Sequence, residues 1–462
     1  MMQNNREVWS SKLGFILAAA GSAIGLGNIW RFPYILGENG GAAFLFVYLA
    51  CIALIGVPVL IAEILIGRTG KRNPVGSFKA LTKSKFWPYV GGMGILAGFM
   101  ILSFYSVVAG WSFGYIIEAI NGSVVSYSSP DQAAQHFNFL ISDVTWILVM
   151  FIIFMLLTML VVYFGVQKGI ERGSKIMMPA LFILLIIVMI KGITMEGSSA
   201  GIDFLFKPDW TKISASSILL ALGQAFFTLS LGMGAMLTYG SYMSDNDNIP
   251  VSSVQIIFLD TAVSVIAGVA IFTAVFATGL NPSEGAGLIF HTLPVVFSKM
   301  VGGYIFAIIF FILLSIAALT STISLMEVIT AYFVDELNWK RHNAVIVFGI
   351  ITIIFGIPSA LSFNVLSDFT ILGLTIFGIL EYLTANIMLP LGGLLIAIFI
   401  AYHWGFDKAI PELKKGAAKL FNKNPWMITG WRILIKYFAP ALIFLVLLQS
   451  LGILQNILSL FF

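Results

Sequence analysis

Charged side chains inside long apolar runs are the residues of this chain whose types point most directly to chemistry. They are Arg31, Glu63, Asp260, Glu327 and Glu381. A charge in such surroundings is expensive, so each one is a candidate functional group. Asp260 lies well inside its run, and a buried cation is the simplest partner for its negative charge.

Hydroxyl and amide side chains accompany these charges in the same runs. They are Asn28, Gln224, Thr228, Ser230, Thr320, Ser321 and Thr322. Oxygen ligands suit a hard alkali cation, and no cluster of His, Cys and carboxylate residues suggests zinc or a redox metal. The alternative for each Ser or Thr is a hydrogen bond to its own helix backbone.

Two apolar runs contain glycine-rich stretches near their middles. The first run reads GSAIGLGN at residues 21–28, and the sixth reads TLSLGMG at residues 228–234. Glycine permits unwinding, and freed backbone groups in a bilayer need internal partners or a polar ligand. Close helix packing is the alternative for one such run. Because the two runs begin corresponding blocks of five, they indicate the binding site of a transporter built on broken helices.

About eleven apolar runs must position these groups. The chain has 462 residues, is 59% hydrophobic and 10% charged, and has a mean hydropathy of +0.99. That leaves too little polar surface for a water-soluble protein, whereas most runs reach the roughly 20 residues that cross a bilayer. The predicted spans are residues 13–36, 42–67, 88–120, 144–164, 176–193, 216–242, 251–279, 301–335, 343–357, 370–402 and 434–460.

The predicted fold is an all-α integral membrane protein with a 5+5 inverted repeat, in which helices 1 and 6 are broken. Its segments are a cytoplasmic N-terminal segment (1–12), a first five-helix repeat (13–193), an extracellular loop (194–215), a second repeat (216–402), a cytoplasmic loop (403–433) and an eleventh helix (434–462).

The distribution of positive charge predicts the orientation. With the N-terminus inside, 20 of the 25 Lys and Arg residues fall in cytoplasmic segments, as the positive-inside rule requires. The C-terminus is then outside, and we expect a multi-pass protein of the cell (inner) membrane whose partner is the lipid bilayer. The same rule explains why these loops are basic, so their charge does not indicate binding to nucleic acid. The polar start of the chain lacks the features of a cleaved signal peptide.

Long sequence motifs carry a family resemblance. They are WSSKLGF (9–15), GSAIGLGNIWRFP (21–33), ENGG (38–41), GVP (56–58), Tyr105 with GW (110–111), GQAFFTLSLGMG (223–234) and LTS (319–321). In these motifs the chain resembles the bacterial amino acid transporters of the neurotransmitter:sodium symporter family, which have the leucine-transporter fold. The resemblance covers nearly the whole chain and implies sodium-coupled symport by alternating access, with no organic cofactor and no enzymatic activity.

The resemblance implies two sodium sites. The first comprises the Ala23 carbonyl, Asn28, Thr228 and Asp260, together with the carboxylate of the substrate. The second comprises carbonyls of Gly21, Ile24 and Ala317 and the hydroxyls of Thr320 and Ser321. Because the substrate completes the first site, ion and amino acid are expected to bind with positive, reciprocal coupling.

A neutral L-amino acid is the substrate that the resemblance implies. Its carboxylate would meet the backbone N–H groups of Leu26 and Gly27 and the Tyr105 hydroxyl. Its ammonium would meet carbonyls of Ala23, Phe227 and Thr228. The residues implied around its side chain are Ile101, Phe227, Ser230, Met233, Ser321 and Leu325. This apolar pocket, with an adaptable methionine, predicts hydrophobic or aromatic amino acids.

The residues that resemble a chloride site are Tyr48, Gln224, Thr228 and Ser264. Many family members have asparagine where this chain has Asp260. An aspartate already supplies negative charge beside the sodium, which makes an added chloride electrostatically unnecessary. We therefore expect transport that does not depend on chloride.

Two gates are implied by the resemblance. Outside, Arg31 and Glu381 form an ion pair above the Tyr105 and Phe227 rings, although a fixed structural ion pair is the alternative. Inside, the implied latch consists of Arg6 with Asp335, supported by Trp9 and Tyr242.

Three further residues are candidates for coupling. Gly169 and Pro179 weaken the inner turn of the fifth span, so that it can unwind and release the second sodium, or Pro179 makes a plain kink. Glu63 either titrates as the empty carrier returns or is a hydrogen-bonded packing group. A proton-driven symporter and a nontransporting amino acid sensor remain the alternative functions.

Overall fold

The computed structural model describes residues 7–282 and 288–453, and helices form the framework of that part of the chain. Nine helices in it are long and apolar enough to cross a membrane, which confirms the predicted all-α membrane fold. They are Ala42–Gly70 (span 2), Trp87–Ile120 (span 3), Val144–Tyr163 (span 4), Val166–Ile193 (span 5), Ile249–Ala277 (span 7), Gly303–Leu337 (span 8), Arg341–Leu361 (span 9), Ile376–Trp404 (span 10) and Trp426–Ser450 (span 11).

Both predicted breaks are present. Span 1 consists of Lys12–Ala23 and Gly27–Glu38, which meet at a bend of 51°. Span 6 consists of Ala215–Thr228 and Ala235–Ser241, joined by the non-helical residues 229–234. Each half of span 6 is too short to cross a bilayer alone. The count of eleven spans and the inverted relation of the two blocks therefore stay predictions.

Several boundaries differ from those expected. Span 5 begins at Val166 rather than near residue 176, because a wide helical turn carries the polar residues 166–171 into the helix. The predicted loops also contain helices: Ser199–Phe206 lies within 194–215, and Phe406–Lys414 and Ala418–Lys423 lie within 403–433. Residues 1–6 of the N-terminal segment and 454–462 of the eleventh helix lie outside the described residues.

Arg68 ends span 2 as a buried side chain, although its sequence position suggested only a cytoplasmic loop. The residue is 1% exposed. Its guanidinium donates to the carbonyl oxygens of Asp247 at 2.8 Å and Lys415 at 3.2 Å, and also to that of Glu412. A cation at the C-terminal carbonyls of helix Phe406–Lys414 is favourable. Arg68 thus fixes the 403–433 segment to the end of span 2.

The outer surface and the centre of the bundle are both apolar. Side chains such as Phe258 and Ile354 are 70% and 61% exposed, which suits contact with lipid rather than water. In the centre, Lys12–Ala23 packs against spans 5, 7 and 8, while span 3 packs along span 8. The two broken helices are therefore held in the middle of the molecule, among helices that continue past them.

Candidate functional site

The break in span 6 is built by residues that tolerate unusual backbone angles. Gly232 has φ of 80°, and a Cβ atom there would lie 2.2 Å from the Leu389 carbonyl oxygen, so only glycine fits. Its freed N–H donates to Glu63 Oε1 at 2.7 Å. Glu63 is fully buried, and through this bond its carboxylate stabilises the break.

The break in span 1 finds its hydrogen-bond partners within span 1 and in spans 3 and 6. The Gly25 N–H donates to Asn28 Oδ1 at 3.0 Å, and the Leu26 N–H donates to the Tyr105 hydroxyl at 2.8 Å. Gln224 Nε2 donates to the Gly27 carbonyl at 2.9 Å. The lipid bilayer offers no hydrogen-bond partners, so the backbone groups freed by the break bond to protein groups instead.

Asp260 lies where the two breaks meet. It is fully buried, and its Oδ1 accepts from Asn28 Nδ2 at 2.7 Å and from the Thr228 hydroxyl at 3.1 Å. Across residues 7–282 and 288–453, no Lys or Arg side chain forms an ion pair with it. The structure thus brings together three side chains predicted for the first sodium site, and leaves a buried carboxylate that a cation would neutralise.

A second group of oxygens joins span 1 to span 8. The Thr320 hydroxyl lies 2.9 Å from the Ala317 carbonyl oxygen and 3.3 Å from that of Ile24. The Ser321 hydroxyl lies 3.4 Å from the same Ile24 oxygen. Gly21 faces this group, since a Cβ atom on it would be 3.2 Å from Thr320 Cβ. The five residues predicted for the second sodium site are therefore neighbours.

A small cavity of about 20 Å³ lies beside the breaks in spans 1 and 6. Its lining is Ser22, Ala23, Gly25, Gly27, Ile101, Tyr105, Phe227, Ser230, Met233, Ser321, Ser324 and Leu325. The predicted pocket residues Leu26 and Thr228 do not line it, although the Leu26 N–H contacts the lining residue Tyr105. Its volume suits about one water molecule, so an amino acid requires the walls to separate.

Two serines of the lining were missed by the sequence reasoning. The Ser22 carbonyl accepts from the Ser230 hydroxyl at 2.8 Å, and the Ser22 and Ser324 hydroxyls are 2.7 Å apart. These bonds connect spans 1, 6 and 8 at the floor of the cavity. Ser22 stands beside the predicted Gly21 and Ala23, which was the signal available in the sequence.

The predicted outer ion pair does not form in this structure. Arg31 donates to Gln224 Oε1 at 3.3 Å, and its guanidinium carbon lies 4.8 Å from the centre of the Phe227 ring. Among the described residues, Arg31 and Glu381 make no ion pair. The Arg31 guanidinium instead contacts the Gln224 amide and the face of the Phe227 ring, both on span 6. Arg31 thus packs on the ring of Phe227, which lines the cavity.

The inner latch residues that the structure describes are packed together. The Trp9 indole donates to the Tyr239 carbonyl at 2.9 Å, and the Trp9 and Tyr242 rings lie 6.0 Å apart. Tyr242 donates to the buried Glu327 at 2.6 Å. Glu327, which was a functional candidate, forms an ion pair with Arg341.

The other half of the predicted latch is described in part. Asp335 accepts from the Asn73 N–H at 2.7 Å. Arg6 lies outside the described residues, so its pairing with Asp335 stays a prediction.

A further inner contact involves Glu171, which the sequence did not single out. Its buried carboxylate accepts from the Ser10 N–H at 2.8 Å, the Ser11 hydroxyl at 2.9 Å and the Lys175 ammonium at 2.7 Å. A Cβ atom on Gly14 would lie 2.0 Å from Glu171 Oε1, so a larger residue there would have to displace this carboxylate. The carboxylate thus ties the start of span 1 to the inner end of span 5.

We expect Glu171→Gln to loosen this contact. The amide loses the ion pair with Lys175 and cannot accept at both oxygens, and bonds to charged groups contribute about 1.5–3 kcal/mol each. Trypsin cleavage after Lys12 in the detergent-solubilised protein should become roughly tenfold faster. Glu196→Gln, at an exposed position, is the control. Equal cleavage rates in the two variants would show that Glu171 does not hold the N-terminal segment.

The inner end of span 5 is helical and touches the second group of oxygens. Pro179 lies inside the helix Arg172–Ile193, and Gly169 lies in the wide turn before it. The buried Met178 approaches span 1, because a Cβ atom on Gly21 would be 3.1 Å from its sulfur. The segment is helical in this structure rather than unwound, and it is placed to affect the second site.

Three of the four residues that resemble a chloride site, Tyr48, Thr228 and Ser264, lie beside Asp260. Asn28 Nδ2 donates to the Ser264 hydroxyl at 2.8 Å, and the Tyr48 hydroxyl is fully buried beside Thr228 and Ser264.

Two broken helices, a small cavity beside their breaks and a buried carboxylate where the breaks meet are features of a membrane transporter. The chain belongs to the sodium:neurotransmitter symporter family, whose model matches residues 6–128 and 132–458. It is a sodium-dependent transporter and not an enzyme. The family resemblance seen in its motifs is thereby confirmed.

Relatives and a solved structure agree with this assignment. The chain is 40% identical to an uncharacterized sodium-dependent transporter, YhdH, of Bacillus subtilis, with 98% of this chain and 100% of the relative covered. It is 36% identical to one of Haemophilus influenzae, with the same coverage. The crystal structure of MhsT in complex with L-phenylalanine superposes with a TM-score of 0.88 at 47% identity, covering 96% of this chain and 100% of MhsT.

Proposed function

We propose that the protein is a sodium-coupled symporter of neutral hydrophobic or aromatic L-amino acids. The observation that carries this proposal is the small cavity whose lining combines the apolar side chains of Ile101, Phe227, Met233 and Leu325 with the residues of the break in span 1. Apolar walls favour a hydrophobic side chain, and helix ends favour a carboxylate and an ammonium group. The similarity to MhsT, solved with L-phenylalanine, supports the same class of substrate.

Two sodium ions are the proposed co-substrates. The first would be held at Asp260, Asn28 and Thr228 and completed by the carboxylate of the amino acid, so each ligand would strengthen binding of the other. The second would be held at Thr320 and Ser321 against the carbonyls of span 1. Both sites connect span 1 to another span, so their occupation would favour the closed arrangement.

The test is uptake of labelled tryptophan, tyrosine, phenylalanine and leucine into proteoliposomes under an inward sodium gradient, with external potassium as the control. We expect accumulation that requires sodium and persists when gluconate replaces chloride. Preference for lysine or glutamate would contradict the proposed substrate class. Loss of uptake in gluconate would contradict chloride independence. Uptake that follows the proton gradient without sodium would replace sodium coupling with the proton-driven alternative.

We propose alternating access between an outer and an inner gate, with the N-terminus in the cytoplasm and the C-terminus outside the inner membrane. The outer lid is Arg31 with Phe227, and the inner closure comprises Trp9, Tyr242 and the Glu171 contact with Ser10 and Ser11. Unwinding of span 5 at Gly169 would pull Glu171 from the N-terminal segment and uncover the second sodium site.

Pro179→Ala tests that step. Restoring an unbroken helix removes a defect worth about 3 kcal/mol, so we expect span 5 to unwind less readily and turnover to fall by about tenfold, with slower sodium release. Pro358→Ala, inside span 9, is the matched control and should transport normally. Unaltered sodium release in Pro179→Ala would favour a plain kink.

A further inference from the structure

A second cavity, of about 540 Å³, opens at the cytoplasmic end of span 3, apart from the transport site. Its rim carries Lys79, Lys83 and Lys85 with the hydroxyl-bearing residues Thr82 and Ser84. The Thr82 hydroxyl lies 2.6 Å from His403 Nε2, so this rim is tied to the inner end of span 10. The cavity thus combines several positive charges with hydrogen-bond donors in a fixed loop.

The positive charge of this rim is only partly neutralised. Lys79 pairs with Glu336 at 2.6 Å, and Arg72 lies 3.8 Å from the same carboxylate. Lys83 and Lys85 are exposed, and they have no ion pair with any residue in the part of the chain that the structure describes. Two uncompensated lysines therefore face the cavity, which suits an anionic ligand.

An apolar groove of about 320 Å³ continues from this cavity along the lipid-facing surface of spans 3, 8 and 9. Gly92 and Tyr332 line both spaces, and Leu96, Phe99 and Phe348 line the groove beyond them. Leu96 lies seven residues beyond the interfacial Tyr89, which corresponds to about 10 Å deeper in the bilayer. The groove therefore leads from the charged rim toward the hydrocarbon core.

We propose that this surface binds one anionic phospholipid of the cytoplasmic leaflet. The headgroup phosphate would lie between Lys83 and Lys85, and an acyl chain would follow the groove past Gly92 to Phe99. Lysines at a membrane surface attract any anionic lipid, but scattered lysines provide no binding groove for an acyl chain. The continuity of the charged cavity with the apolar groove selects a phospholipid over a soluble anion.

The headgroup is tested by titrating the purified full-length protein in detergent with phosphatidylglycerol or phosphatidylcholine and counting bound lipids by native mass spectrometry. We expect one tight phosphatidylglycerol and no comparable phosphatidylcholine. Lys83→Gln with Lys85→Gln should weaken that binding by about tenfold or more. Lys414→Gln with Lys419→Gln removes two exposed charges elsewhere on the cytoplasmic side and should leave it unchanged. Equal loss in both double variants would overturn the site.

The groove is tested by Gly92→Leu. A Cβ atom at Gly92 meets only Val75 at 3.9 Å, so the larger side chain fits the helix and fills the groove instead of straining the fold. We expect phosphatidylglycerol binding to weaken by about tenfold, while sodium-dependent uptake in phosphatidylcholine vesicles reports intact folding. Glycerol phosphate, which has the charge without the chains, should not compete. Competition by glycerol phosphate with unchanged binding in Gly92→Leu would show a soluble-anion site and refute the proposal.

Discussion

In chloride-free medium, Asp260→Asn is expected to abolish sodium-dependent uptake and to lower apparent sodium affinity on the order of 100-fold. The carboxylate is the negative charge at the point where spans 1, 6 and 7 meet, and the described residues offer no cationic side chain to pair with it. Asparagine has the same shape and keeps one oxygen for the Asn28 and Thr228 hydrogen bonds. The change therefore removes charge and leaves the packing intact.

Thermal unfolding of Asp260→Asn separates a binding defect from a folding defect. Without sodium, the variant should be at least as stable as the parent protein, because a buried unpaired carboxylate is costly. Sodium at 100 times its dissociation constant should stabilise the parent by about 2.7 kcal/mol, and the variant should lose most of that gain. Asp209→Asn, at an exposed position, is the control.

The response of Asp260→Asn to chloride tests the charge argument further. Tyr48, Gln224, Thr228 and Ser264 remain in place, so chloride should partly restore uptake by supplying the missing negative charge. A variant with unchanged sodium affinity and no response to chloride would show that Asp260 is neither a sodium ligand nor the reason for chloride independence.

The parts of the site that were predicted from sequence are those that conflict with an ordinary membrane helix. Glycine runs in mid-membrane predicted the breaks in spans 1 and 6, and a carboxylate in an apolar run predicted Asp260. Each is costly unless a partner exists, so its presence is informative without knowledge of the fold. Apolar length likewise predicted most spans to within a few residues.

The partners of the charged side chains were less predictable from the sequence. Arg31 contacts Gln224 and Phe227 instead of Glu381, and Glu327 pairs with Arg341. Glu171 lies among basic residues in a stretch that resembled a loop, yet its carboxylate organises residues about 160 positions away. In each case several groups of suitable charge could form the contact. Which of them does so depends on three-dimensional packing rather than on spacing along the chain.

Gly25→Ala is expected to weaken both substrate and sodium binding by about 100-fold. A Cβ atom at this position would lie 2.4 Å from the Ser321 hydroxyl oxygen and 2.6 Å from that of Tyr105. Ser321 belongs to the second proposed sodium site, and Tyr105 is the proposed partner of the substrate carboxylate. One methyl group would therefore displace two polar groups in a cavity that has no spare volume.

Comparing the defect of Gly25→Ala for small and large amino acid substrates identifies its cause. The added methyl group lies at the carboxylate end of the cavity, so leucine and tryptophan should lose affinity to a similar extent. Gly223→Ala is the matched control, because nothing lies within 4 Å of a Cβ atom there and alanine favours the helix of span 6. Normal uptake by Gly25→Ala, or a defect limited to tryptophan, would mean that the amino acid backbone does not bind beside Gly25. The proposed orientation of the substrate would then be wrong even if sodium coupling held.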